Sequence, residues 1–154
     1  MQHELDIRYR TVENFVSQSS AAGVSPEMQS YLCGFGTVLI CGYIERGIEI
    51  IILDRLASRA HPRVLSFIKS HFKRGTNFDC AAIEQLLSRF GPEWYRGFQS
   101  FVEQNSDVKE GVASCYGVRN SVAHGGAMTV GGGRLRELLQ MSKKLIDGVV
   151  AVTR

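Results

Sequence analysis

Apolar residues recur along this chain at intervals of three and four rather than two, a period that predicts helix after helix. Leu5, Tyr9, Val12 and Phe15/Val16 mark a helix from Glu4 to about Gln18. Ser19 to Gly23 is a run of small residues that breaks it. Ser25-Pro26-Glu27 is a start signal: a Ser hydroxyl can accept from orphan backbone N–H groups, and Pro suits a first turn that needs no N–H. The helix that follows is expected to be the longest, reaching Ala57 or Ser58. From Val38 to Leu53 it is apolar nearly all round, which predicts the central helix of a bundle. Gly34, Gly36, Gly42 and Gly47 are locally unfavourable inside a helix and predict either close helix approach or a kink.

Pro62 opens a short helix through Val64, Leu65, Phe67, Ile68 and Phe72, followed by a loop at Gly75-Thr76-Asn77. Asp79 is placed to cap a helix whose stripe is Ile83, Leu86, Leu87 and Phe90, ending at Gly91. Pro92 starts another that carries Trp94, Tyr95, Phe98 and Phe101, an aromatic stripe suited to a core or a dimer interface. Asp107 with Glu110 resembles a capping box ahead of Val108, Val112, Cys115, Val118 and Val122. Gly125 to Gly133 is glycine-rich, and the last helix carries Leu135, Leu138, Leu139, Leu145, Ile146, Val149 and Val150. Only Val149 to Thr153 has strand-like composition, and it continues a helical stripe. The expected fold is an all-α, single-domain helical bundle around a long central helix, with residues 1–24 as N-terminal helix and linker and 25–154 as core.

Composition narrows this picture little. A chain of 154 residues supports one sizeable core, and a net charge of +3 permits a nucleic-acid partner without requiring one. The four cysteines, Cys33, Cys41, Cys80 and Cys115, form no Cys-x-x-Cys and have no His at metal-ligand spacing. They read as buried reduced thiols of a cytoplasmic protein, with no metal and no cofactor expected. The start, Met1-Gln2-His3-Glu4-Leu5-Asp6, lacks the basic region and apolar core of a leader. Glu45, Arg46 and Glu49 interrupt the apolar run, which is also short for a bilayer, so no membrane partner is expected. Gly131-Gly132-Gly133 lacks the Gly-Lys-Ser/Thr ending and preceding strand of a phosphate loop, and reads as a connector.

The candidate chemistry lies in Tyr116-Gly117-Val118-Arg119-Asn120-Ser121-Val122-Ala123-His124-Gly125-Gly126. A neutral His124 can take a proton from a ribose hydroxyl, Arg119 can hold charge developing on phosphate, and Asn120 can orient either partner. An imidazole's ordinary pKa of about 6.5 suits that task near neutral pH. The bland alternative makes His124 a helix-terminal residue favoured by the dipole, with Gly125 just beyond it. Spacing alone does not decide, because 13 Arg and 4 His supply such pairs by chance. Arg55 and His61 are one, placed beside Pro62 at a helix boundary.

Two further groups bear on the motif. Tyr31, Phe35, Val38, Gly42, Glu45, Glu49, Ile52 and Leu56 share a stripe of the long helix, which puts two carboxylates on an otherwise apolar face. A buried carboxylate needs a partner, and Arg119 or Arg46 is expected to supply one unless both acids reach solvent. In the functional version Glu45 orients Arg119 or His124 from behind. Between Arg55 and Phe78 lie Arg55, Arg59, Arg63, Lys69, Lys73 and Arg74 with no acid among them. That run is either a solvated basic face or the place where RNA phosphates are held.

Arg-Asn-x-x-x-His-Gly closing a helix, behind a long apolar helix with an internal Glu, resembles the HEPN superfamily, and more narrowly its RiboL-PSP-associated branch. The similarity runs from about Tyr31 to the C-terminus. The resemblance implies a metal-independent endoribonuclease with an Arg-x4-His motif at Arg119 and His124, Asn120 being the polar residue after the Arg. It also implies a helical bundle that dimerises so that two motifs share one cleft, RNA as substrate, and a toxin, defence or stress role with an antitoxin or other regulatory protein as partner. Other members have lost catalysis and serve as dimeric RNA-, nucleotide- or protein-binding modules. In the branch regulated by nucleotidyl transfer a Tyr stands two residues after the His; here Gly126 occupies that place, which argues against that regulation.

Overall fold

The computed structural model describes residues 1–19, 23–72, 76–126 and 130–154. These form seven helices and no strand: α1 (Gln2–Ser19), α2 (Pro26–Leu56), α3 (Pro62–Phe72), α4 (Cys80–Ser88), α5 (Pro92–Gln104), α6 (Ser106–Ala123) and α7 (Gly132–Val152). The chain is all-α, and α2 is its axis. Helices α1, α3, α6 and α7 all pack on it. Ile40, Ile44, Ile48, Ile51 and Ile52 are fully buried along its length. Leu5, Val12 and Val16 bring α1 into the same core.

Local signals explain the starts of these helices. Ser25 Oγ accepts from the Met28 N–H at 3.3 Å, with Pro26 in the first turn. Asp79 Oδ1 accepts from the Ala82 N–H at 2.8 Å. The glycines of α2 divide by neighbour. A Cβ at Gly36 would stand 2.8 Å from Leu135 Cδ2, and one at Gly47 would stand 2.7 Å from Ile146 Cδ1. Those two let α7 approach closely, and α2 remains one helix through both.

Some boundaries differ from expectation. α2 stops at Leu56, just short of Ala57, and α4 stops at Ser88 rather than running to Gly91. The Asp107–Glu110 capping box does not form. The helix begins earlier, at Ser106, and Asp107 turns instead to Lys144 Nζ at 3.2 Å. The α5 aromatic stripe packs within the chain: Phe98 is fully buried, and Trp94 meets Phe90 with ring centroids 5.7 Å apart. All four cysteines are buried and free. α3 is the outlier, a helix with no buried residue. Among the described residues, no helix is long and apolar enough to cross a membrane.

Candidate active site

The site is built where α6 leans on α2. Cys115 on α6 and Cys41 on α2 place their Sγ atoms 3.5 Å apart in the buried seam, and Cys115 also reaches the Thr37 carbonyl at 3.8 Å. One helical turn further along each helix come Glu45 and Arg119. Arg119 Nη1 donates to Asn120 Oδ1 at 3.2 Å and to Asn77 Oδ1 at 3.3 Å. Asn77 belongs to the link between α3 and α4. That link is pinned to α6 one residue later, where the buried Phe78 N–H donates to Tyr116 Oη at 3.0 Å. The guanidinium is thus gripped by two neutral amides, which fix its direction without neutralising it.

Glu45 is half-buried, and its Oε1 has no hydrogen-bond partner among the described residues. Burial pushes its pKa up; the Arg119 charge pulls it down but does not win. The expected pairing therefore resolves unequally. Glu49 is buried and takes Arg46 of its own helix as partner, which rules out solvation for that acid. Glu45 interacts with Arg119 through the field alone and forms no ion pair among the described residues.

His124 ends α6. Its backbone (φ −101°, ψ 14°) leaves the helix, and Gly125 follows at φ 72°, a left-handed conformation that glycine adopts without strain. The Gly126 N–H donates to the Ser121 carbonyl at 2.8 Å and the Gly125 N–H to Val122 at 3.2 Å, a Schellman closure. The helix-terminal placement of His124 is therefore real. It also leaves His124 exposed, while Arg119 and Asn120, five and four residues earlier, are half-buried. A cavity of about 410 Å³, lined by residues of α3, α4 and the segments beside them, includes none of the three.

The basic run separates into parts. Arg55 is half-buried, with Nη2 donating to the Val150 carbonyl at 3.1 Å and Nε to Thr153 Oγ1 at 3.3 Å, so its donors serve the end of α7. Arg59, Arg63 and Lys69 are exposed, while Lys73 and Arg74 lie outside the described residues. His61, the partner in the chance pair, accepts from the Arg63 N–H at 3.2 Å through Nδ1. Among the described residues no three of His, Cys, Asp and Glu gather as metal ligands.

The RiboL-PSP-HEPN family model matches residues 3–151. The chain belongs to that family. No curated protein and no solved structure matches it. The match begins at residue 3 rather than near Tyr31, so the HEPN domain takes in α1, in keeping with the apolar residues that α1 places in the core. Two residues of the candidate site escaped the sequence. Asn77 lies 42 residues before Arg119 and looked like an ordinary turn residue. Tyr116 carried no mark beyond being in the motif helix, yet it holds the link that presents Asn77.

Proposed function

We propose that this HEPN domain is a metal-independent endoribonuclease working as a homodimer. The observation that carries this is the grip of Asn77 and Asn120 on Arg119, five residues before the exposed His124. His124 takes the proton from a ribose 2′-hydroxyl, and that oxygen bonds to the adjacent phosphorus. The P–O5′ bond breaks, and the partner subunit's His124 returns a proton to the leaving oxygen. Arg119 neutralises the charge on the non-bridging oxygens, and Asn120 keeps it aimed. Glu45 stands behind Arg119 as a positioning residue. The products are a 2′,3′-cyclic phosphate and a 5′-hydroxyl. RNA phosphates elsewhere rest on Arg59, Arg63 and Lys69.

An open motif on one protomer supports a site completed by a second. Tyr31 and Phe35 are 54% and 52% exposed along the outer ridge of α2, and Gly42 continues it with open space above. Ala113 and Gly117 present a small, exposed face on α6 that leads to His124. The test is incubation of tRNA and mRNA with wild type and His124→Ala in EDTA, with the ends mapped. Cleavage should persist in EDTA and stop where the attacking nucleotide is 2′-deoxy. Loss of cleavage in EDTA overturns the mechanism.

A second reading is a non-catalytic dimeric module that binds RNA, nucleotide or protein. It is favoured by the His124 ring, which has no hydrogen-bond partner among the described residues to fix its tautomer. Wild type and His124→Ala would then leave RNA equally intact.

A further inference from the structure

One cavity of the molecule has no part in the chemistry just described. It lies between α3 and α4, has a volume of about 410 Å³, and is walled by the rings of Phe67, Phe72, Phe78 and Phe90. A volume in the range of about 300–1,000 Å³ is that of small-ligand sites. The lining residues that stay exposed include Phe67, His71, Gln85 and Arg89, so polar groups surround an aromatic mouth. Phe67 is 64% exposed, a large apolar ring left in water, with the His71 ring against it at 4.5 Å between centroids. Arg89 forms no ion pair among the described residues. His71 Nδ1 meets the Phe67 carbonyl at 3.0 Å; a carbonyl only accepts, so Nδ1 carries the proton and Nε2 is an acceptor in the neutral ring.

Thr76 and Phe78 line this cavity, and Asn77 between them holds Arg119. Cavity and motif thus share residues 76–78 of the α3–α4 link. No acid lies between Arg55 and Phe78, and Arg59, Arg63 and Lys69 of that stretch are exposed.

We propose that the α3–α4 cavity receives an unpaired base of single-stranded RNA, stacked on Phe67, with the adjacent phosphate on Arg89. Aromatic stacking with a nearby cation is how proteins hold single strands. The Gln85 amide and the Thr76 hydroxyl offer a donor and an acceptor to the base edge. This rests on the reading of the chain as an RNA-acting protein and adds a subsite to it.

The test uses an uncleavable probe: a short single strand with 2′-O-methyl riboses and one 2-aminopurine, alongside a copy abasic at that position. Binding to the wild-type dimer should quench the fluorophore, and the abasic copy should bind more weakly. Phe67→Ala, a change at an exposed ring, should raise Kd about ten-fold, and Phe67→Tyr should restore it. Arg89→Ala should weaken binding and reduce the salt slope by about 1. His61→Ala should bind the probe as wild type does. Equal affinity of wild type, Phe67→Ala and the abasic probe overturns the subsite, as would hold if the cavity took an apolar protein segment instead. The two proposals fail separately: binding with quench but no cleavage of natural RNA removes the catalytic reading, and cleavage with Phe67→Ala binding normally removes the subsite.

Discussion

The chain contains two Arg–His pairs of similar spacing at helix ends, and the fold uses them in opposite ways. Arg55 is turned inward, its donors taken up by the Val150 carbonyl and the Thr153 hydroxyl at the end of α7. His61 lies on the far side of a helix end, capping nothing but the Arg63 N–H. Arg119 is held instead by two side-chain amides, one from its own helix and one from a distant link, and His124 stands free at the terminus of the same helix. Arg55 is spent on a backbone carbonyl and a hydroxyl of α7, whereas Arg119 is steered by two amides and forms no ion pair with Glu45 among the described residues. Spacing does not separate the pairs; the partners of the guanidinium do.

The comparison breaks most sharply at the two histidines. His124→Ala should lower RNA cleavage by about 10²–10⁴-fold, the usual worth of a general acid–base group, with Tm unchanged because the side chain is exposed. His61→Ala should cleave like wild type. Initial rates on a single-stranded substrate check both, and equal losses in the two variants would erase the distinction.

Asn77 sharpens it next. Asn77→Ala frees one side of the Arg119 guanidinium and should lower kcat about ten-fold, the scale of one hydrogen bond to a charged group. KM should stay near wild type. Asn77→Gln keeps a neutral amide acceptor and should recover part of the rate. A merely structural Asn77 would instead show equal Tm losses in both variants and no split between kcat and KM.

Arg55 should behave in the reverse manner. Arg55→Ala leaves the α7 end without its donors and should cost about 1–3 kcal/mol, a Tm drop of about 3–9 °C. Cleavage per folded molecule should not change. Thermal melts and rates at a temperature where both proteins are folded separate the two effects. A large loss of rate at full folding would restore Arg55 to the RNA surface.

The bundle was legible because its signals are local. Apolar period and caps such as Ser25 and Asp79 act within four residues, and they place the helices. What escaped depends on neighbours distant in sequence. Asp107 and Glu110 have the spacing of a box, but Lys144, 37 residues away, competes for Asp107. Arg119, Asn120 and His124 were readable as a cluster because one helix carries all three. Asn77 was not, since a turn residue shows its purpose only when Tyr116 fixes the link against α6. The basic run between Arg55 and Phe78 looked uniform in one dimension, and the fold gives Arg55 a different task from Arg59, Arg63 and Lys69.

The smallest expected effect lies behind Arg119. Glu45 has its pKa raised by burial against the opposing pull of Arg119. A raised carboxyl pKa means that the folded state binds its proton more tightly than the unfolded chain does. The stability Glu45 contributes is therefore full below its unfolded pKa and is lost as pH rises through the folded value. Glu45→Gln stays neutral throughout. Its Tm relative to wild type should thus be lowest in acid and climb across the carboxyl range, levelling off once Glu45 is ionised in both states. Melts of both proteins from acid to neutral pH check this, and a difference that falls as pH rises would show that Arg119 outweighs burial. In that case Glu45 and Arg119 form an ion pair in solution, and Arg119, like Arg55, is committed to the fold.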